Sequence, residues 1–151
     1  HTVLNGIGPL ANRANDNDWV MVHDGVRPCV RHADIGQLID TVGEGHGGGL
    51  LAVAVNDTVK RTDPDGMVLE TVPRTGLWRA LTPQMFRLGD LRRALQAALA
   101  CGGEITDEAA AMEQIGVRPR VVPGQVDNIK ITFPADLALA ELILSHQERE
   151  R

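Results

Sequence analysis

The sequence predicts an α/β fold, on three observations. Strand-like and helix-like segments alternate along the chain. The run Leu50-Leu51-Ala52-Val53-Ala54-Val55 is apolar throughout, as a parallel strand covered on both faces requires. Ile35, Leu38, Ile39 and Val42 recur at helical spacing, which predicts an amphipathic helix over 33–42 packed on the sheet. At 151 residues the chain suits about one domain with a sizeable core.

Taken in order, Val3 to Leu10 reads as a short helix ended near Gly8-Pro9, and 12–18 as a polar loop. Trp19-Val20-Met21-Val22 is a short buried strand, followed by His23-Asp24-Gly25-Val26-Arg27-Pro28. Gly43 to Gly49 breaks the next helix; lacking GxxxxGK[ST] and preceding a strand, it reads as a connection. Residues 57–61 and 67–72 flank a Pro-Asp-Gly turn, which makes a hairpin. It carries few apolar residues, so it needs another surface to lie on. Leu77 to Leu81 reads as a strand stopped by Thr82-Pro83-Gln84. Leu88, Leu91, Leu95 and Leu99 mark a helix ending at Cys101-Gly102-Gly103. Thr106 reads as the cap of another helix, with Asp107 and Glu108 in its first turn. Strands are expected at 118–122 and 128–131, and a closing helix from Pro134 to Ser145.

Composition narrows the function. A net charge of −5 without a basic run argues against a nucleic-acid binder, and two Trp, two Phe and no Tyr give no stacking platform. The longest apolar run is far too short for a membrane span. Cys29 and Cys101 have no CxxC or Cys/His spacing and read as reduced thiols of a cytoplasmic protein. Small molecules are the expected partners.

Four stretches put polar groups at loop positions where chemistry is done. Asp24 and Arg27 follow a strand, where open α/β sheets bind ligands; a carboxylate suits a metal or sugar hydroxyl and a guanidinium suits a phosphate. The same six residues read equally well as a turn with a local ion pair. Thr58 and Lys60 face Arg74-Thr75-Gly76 across the two ends of the hairpin. Thr82 is followed at a distance by Thr106-Asp107-Glu108. Lys130, between Ile129 and Ile131, must point to solvent or to an anion. Each stretch alone reads as a cap, a turn or an exposed charge; their joint occurrence argues for a site.

These stretches also carry a resemblance. Val22-His23-Asp24-Gly25-Val26-Arg27-Pro28, Asn56-Asp57-Thr58-Val59-Lys60, Arg74 to Gln84, Ile105-Thr106-Asp107-Glu108-Ala109 and Asp127-Asn128-Ile129-Lys130-Ile131-Thr132 occur in the order and spacing of one family. The chain resembles the 2-C-methyl-D-erythritol 4-phosphate cytidylyltransferases of non-mevalonate isoprenoid synthesis, over nearly all its length. The resemblance implies a Rossmann-like nucleotidyltransferase sheet with flanking helices, and a β-arm at about 56–75 that clasps a second copy in a homodimer. It implies CTP and a sugar-alcohol phosphate as substrates and Mg2+ as the cation. Arg74 and Lys130 would be catalytic, holding the attacking phosphate. Asp24, Arg27, Thr58, Thr82 and Thr106 would bind the acceptor, with Thr2 and Asp24 toward the nucleotide and Asp24 beside the metal.

The chain departs from the family pattern at its front. The GxGxR loop and Pro-Lys-Gln segment that cradle the CTP phosphates do not occur in the 151 residues. The expectation is therefore an N-terminally incomplete sheet: a single partial nucleotidyltransferase domain over 1–151, from the C-terminal portion of such an enzyme. Two alternatives stay open: a ribitol-5-phosphate cytidylyltransferase, which shares much of the pattern, and a non-catalytic fragment that dimerises through the arm.

Overall fold

In the computed structural model, residues 2–43, 45, 47–102 and 105–150 are described, without the side chains of Thr2, Ala11 and Asn12. A four-stranded sheet organises the chain, in the order β1-β5-β2-β6: β1 is Trp19–Val22, β2 Gly49–Ala54, β5 Trp78–Arg87 and β6 Arg120–Pro123. Strand β5 runs antiparallel to both neighbours, with Val20 opposite Phe86 and Leu50 opposite Gln84. Strands β2 and β6 pair in parallel, with Leu51 opposite Val122. Alternation along the strands sorts the apolar side chains into two cores. Leu50 and Phe86 face helices α1 (Thr2–Ile7), α3 (Leu88–Ala100) and α4 (Glu108–Gln114), packing with Ile7, Leu91, Leu95 and Met112. Leu51, Val53, Leu81 and Met85 face α2 (His32–Gly43), packing with Leu38 and Val42. Strand β2 is apolar at every position because both of its faces are covered. Helix α5 (Pro134–Arg149) closes the chain and buries Ala140 and Gln147. Among the described residues no helix is long and apolar enough to cross a membrane.

Several sequence expectations are corrected. The first helix does stop at the Gly8-Pro9 pair, its last residue being Ile7, but a separate 3-10 turn over Pro9–Asn12 follows it. Thr82-Pro83-Gln84 does not stop a strand; β5 runs through it for ten residues. Its pairing with β2 shifts register between Leu50 and Ala52, and β1 pairs only from Gln84 onward, so Pro83 sits where the ladder needs no N–H. The stretch 128–131 is not a strand but an irregular segment outside the sheet. The cap of α4 is Asp107, not Thr106: its Oδ1 accepts from the Ala110 N–H at 2.8 Å. The Gly-rich connection has a packing role at its end. Gly48 has φ +74°, and a Cβ there would lie 2.2 Å from the Phe86 ring and 2.5 Å from the Met85 carbonyl oxygen.

The hairpin forms as expected from β3 (Val59–Thr62) and β4 (Val68–Val72), as a separate two-stranded sheet. Its turn is held by Asp63, whose Oδ1 accepts from the N–H groups of Asp65 and Met67 at 3.0 and 2.9 Å. Across the strands Arg61 pairs with Glu70 at 2.7 Å, and Lys60 donates to the Thr71 hydroxyl at 2.6 Å. Met67, Val68 and Leu69 are left exposed, each near 60% or above. The hairpin leaves most of this apolar surface uncovered by its own chain.

Candidate active site

The site is built where β1 ends. Past Val22 the chain turns, with the Arg27 N–H donating to the Asp24 carbonyl at 3.0 Å. Three side chains lock this turn to the rest of the fold. The Asp24 N–H donates to Thr82 Oγ1 at 3.0 Å, joining it to the middle of β5. Arg27 Nη1 donates to the Asn128 carbonyl at 2.9 Å, and the Ile131 N–H donates to the Val26 carbonyl at 2.8 Å. Asn128, 1% exposed, donates from Nδ2 to the Thr82 carbonyl at 2.8 Å. The segment 127–131 is thus stitched to β5 and to the turn by side chains rather than by a ladder.

This stitching delivers Lys130 to Asp24, with Nζ 3.1 Å from Oδ2; Arg27 Nε reaches the same oxygen at 3.3 Å. Both readings of His23 to Pro28 are therefore realised: Asp24 and Arg27 form an ion pair, and the pair lines a cleft. That cleft, about 360 Å³, is lined by Asp24, Arg27, Thr82, Thr106 and Lys130, together with Gln84, Asp107 and Glu108. A neighbouring cleft of similar size shares Arg27 and Lys130 and adds Arg79. Five side chains singled out in the sequence, spread over 24–130, converge on one concavity.

The other three behave differently. Thr58 and Arg74 lie at the base of the hairpin and do not line the cleft; Arg74 donates to the Asn56 carbonyl instead. Thr2 opens α1, and its side chain lies outside the described residues.

Charge in the cleft is mixed. Burial pushes the Asp24 carboxyl upward, but the hydrogen bonds and charges of Lys130 and Arg27 outweigh it and hold the group below the usual aspartate range. Asp24 stays ionised. Opposite it, burial raises the Glu108 carboxyl, as do the charges of Asp107 and Asp24, against a lowering backbone hydrogen bond. Asp24 is thus a carboxylate held by two cations, while Glu108 in the same cleft keeps its proton more readily than an ordinary glutamate.

Three residues that shape this geometry stand in the quoted stretches, but nothing in the sequence assigned them a role of their own. Gln84, 1% exposed, donates to Asp107 Oδ2 at 2.9 Å and accepts from the Ala109 N–H at 2.8 Å, so β5 holds the start of α4. Asn128 joins β5 to the turn as described. His23 bridges Thr82 and Arg27, with Nδ1 2.9 Å from Thr82 Oγ1 and Nε2 3.0 Å from the Arg27 carbonyl oxygen. The available signal for Gln84 was an uncharged polar residue beside Met85 and Phe86 in an otherwise apolar stretch.

Comparison with known proteins identifies the family. The family model for 2-C-methyl-D-erythritol 4-phosphate cytidylyltransferase matches residues 1–146. The enzyme of that name from Hahella chejuensis is 51% identical over 151 residues, covering 99% of this chain and 63% of the relative. A crystal structure of 4-diphosphocytidyl-2C-methyl-D-erythritol synthase superposes with a TM-score of 0.85 at 43% identity, over 95% of this chain and 65% of that one. The Francisella tularensis 2-C-methyl-D-erythritol 4-phosphate cytidylyltransferase does so with a TM-score of 0.85 at 37% identity, over 93% and 65%. The chain spans under two thirds of the length of each of these proteins. With the family model running through all five sequence stretches, the four that line the cleft included, this chain belongs to the 2-C-methyl-D-erythritol 4-phosphate cytidylyltransferase family.

Proposed function

We propose that the cleft is the acceptor site of a cytidylyl transfer. CTP and 2-C-methyl-D-erythritol 4-phosphate would be joined to give 4-diphosphocytidyl-2-C-methyl-D-erythritol and pyrophosphate. A phosphate oxygen of the acceptor forms a bond to the α-phosphorus of CTP, and the bond from that phosphorus to pyrophosphate breaks. The observation that carries this reading is the convergence of Asp24, Arg27, Thr82, Thr106 and Lys130 on one cleft.

Such a displacement needs alignment and neutralised charge more than covalent help. Arg27 and Lys130 supply positive charge to an incoming phosphate, which would otherwise be repelled by the triphosphate. Arg74 would add a second catalytic cation from the arm of another copy, with Thr58 beside it. Supporting this homodimer, the hairpin leaves Met67, Val68 and Leu69 uncovered while Arg74 stays out of its own chain's cleft. Asp24 fits a magnesium ion of the kind held by one carboxylate and the substrate's phosphates, since its Oδ1 takes no partner among the described residues. Bound there, the ion would neutralise triphosphate charge.

The test joins this chain to the portion of the Hahella chejuensis relative that it does not match, and supplies CTP, Mg2+ and either acceptor. Pyrophosphate release with methylerythritol phosphate, well above that with ribitol 5-phosphate, is expected. Faster turnover with ribitol 5-phosphate would transfer the assignment to that acceptor, and no release with either would refute the enzymatic reading.

A further inference from the structure

His23 does not line the cleft, yet it controls a residue that does. Its two ring nitrogens have different partners, and these fix the tautomer. The Arg27 carbonyl oxygen, 3.0 Å from Nε2, can only accept, so Nε2 carries the proton. In the neutral ring Nδ1 is then bare, and the Thr82 hydroxyl 2.9 Å away must donate to it. Thr82 Oγ1 also accepts from the Asp24 N–H at 3.0 Å. A hydroxyl has one proton and two lone pairs. The proton and one lone pair of Thr82 are therefore committed within the protein.

What remains on Thr82 is a single lone pair. We propose that His23 is a positioning residue that turns the Thr82 hydroxyl into an acceptor toward the cleft. Thr82 then receives a hydroxyl of the ligand and has no proton for a phosphate oxygen. This rests on the reading of the cleft as the acceptor site, and it divides the work there: Arg27 and Lys130 take the phosphate, and Thr82 reads the polyol. The same ring ties the Asp24–Arg27 turn to β5, so the acceptor atom and the cations are set by one side chain.

Two measurements on the full chain test this. Long-range nitrogen–proton NMR at mildly alkaline pH reads the His23 ring directly. A protonated Nε2 and a bare Nδ1 are expected; a protonated Nδ1, alone or with Nε2, overturns the proposal. Affinity for 2-C-methyl-D-erythritol 4-phosphate supplies the second readout. Thr82→Val and His23→Ala each weaken it about fivefold, the scale of one hydrogen bond, and the double variant is no worse than the weaker single. His23→Asn, whose amide oxygen can stand where Nδ1 stood, recovers most of the loss; His23→Gln, which mimics Nε2, does not. Additive losses, or recovery by Gln in place of Asn, overturn the assignment. Competition by inorganic phosphate is unchanged in Thr82→Val; weakening equal to that for the polyol phosphate shows Thr82 donating to phosphate and refutes the polarity. If the unsubstituted chain binds no polyol phosphate, the acceptor-site reading fails, and the NMR result still decides the role of His23.

Discussion

Replacing Gln84 by leucine tests how β5 holds the far wall of the cleft. The side chain is 1% exposed, and leucine is of similar size, so the change removes polarity with little change of volume. It strands the Ala109 N–H, which now donates to Gln84 Oε1 at 2.8 Å; Ala109 is itself 4% exposed, so water does not easily replace the acceptor. An unmet buried N–H costs about 1–3 kcal/mol. Asp107 also loses the Nε2–H donor at 2.9 Å, about 1 kcal/mol because its carboxylate faces the open cleft. Leucine returns about 1 kcal/mol through its apolar surface, leaving a net destabilisation of about 2 kcal/mol. Urea unfolding followed by circular dichroism should show the midpoint lowered by about 1 M with m unchanged. Gln84→Glu separates the two bonds. It keeps an acceptor for Ala109 but sets a second carboxylate against Asp107, so its own pKa is raised in the folded state. Its penalty is therefore present at neutral pH and shrinks as acidification protonates the new group and restores a donor. A Leu variant within about 0.5 kcal/mol of the parent, or a Glu variant insensitive to pH, would refute this account of the wall.

In the assay-competent fusion, Lys130→Ala and Arg74→Ala should each lower turnover at least about tenfold, equivalent to about 1.4 kcal/mol of transition-state stabilisation; unchanged kinetics in both would sink the catalytic assignment. Asp34, 4% exposed, has its carboxyl raised by burial despite the Gln125 N–H at 3.2 Å. The folded state thus binds that proton more tightly than the unfolded one, and the ionised group costs stability above its folded pKa. Asp34→Asn should raise the urea midpoint at pH 7, with the gain vanishing as pH falls below about 3.8, the ordinary aspartate value. Gly48→Ala forces both a Cβ onto the Phe86 ring and alanine into positive φ, so thermal unfolding should reveal a loss of about 2–4 kcal/mol; a loss below about 1 kcal/mol would show that Phe86 has room to move.

Much of the fold was legible because its signals are local. The α2 and α3 faces repeat at helical spacing, the hairpin carries its own turn chemistry, and β2 is apolar at each position because two cores meet on it. The failures are non-local. Pro83 is a sound stop signal in isolation; it is tolerated because β2 slips register beside it and β1 pairs only beyond it. Residues 128–131 alternate like a strand, but Asn128 spends its side chain on the Thr82 carbonyl and the segment keeps one backbone bond to Val26. Asp24, Arg27, Thr82, Thr106 and Lys130 were found as motif residues. Gln84, Asn128 and His23 stood in the same stretches, but their supporting roles were not legible there, because they depend on partners 23 to 59 positions away.

The supports also explain why the two cations of the cleft are not equivalent. Arg27 is 11% exposed in its side chain and is held at both ends, by Asp24 and by the Asn128 carbonyl. Freeing it would strand a largely buried charge, so it is a fixed feature of the wall. Lys130 is 51% exposed and touches Asp24 through one ammonium contact at the mouth. A pair that open is worth no more than about 1 kcal/mol, so a phosphate, if this is the acceptor site, would draw Lys130 away from Asp24 at small cost. Asp24 then keeps Arg27 and the hydrogen bond from its own N–H to Thr82, and the turn does not collapse when the lysine leaves. On the acceptor-site reading, the carboxylate would hold the exposed cation until an anion competes for it, while the buried cation and the Thr82 hydroxyl keep their places.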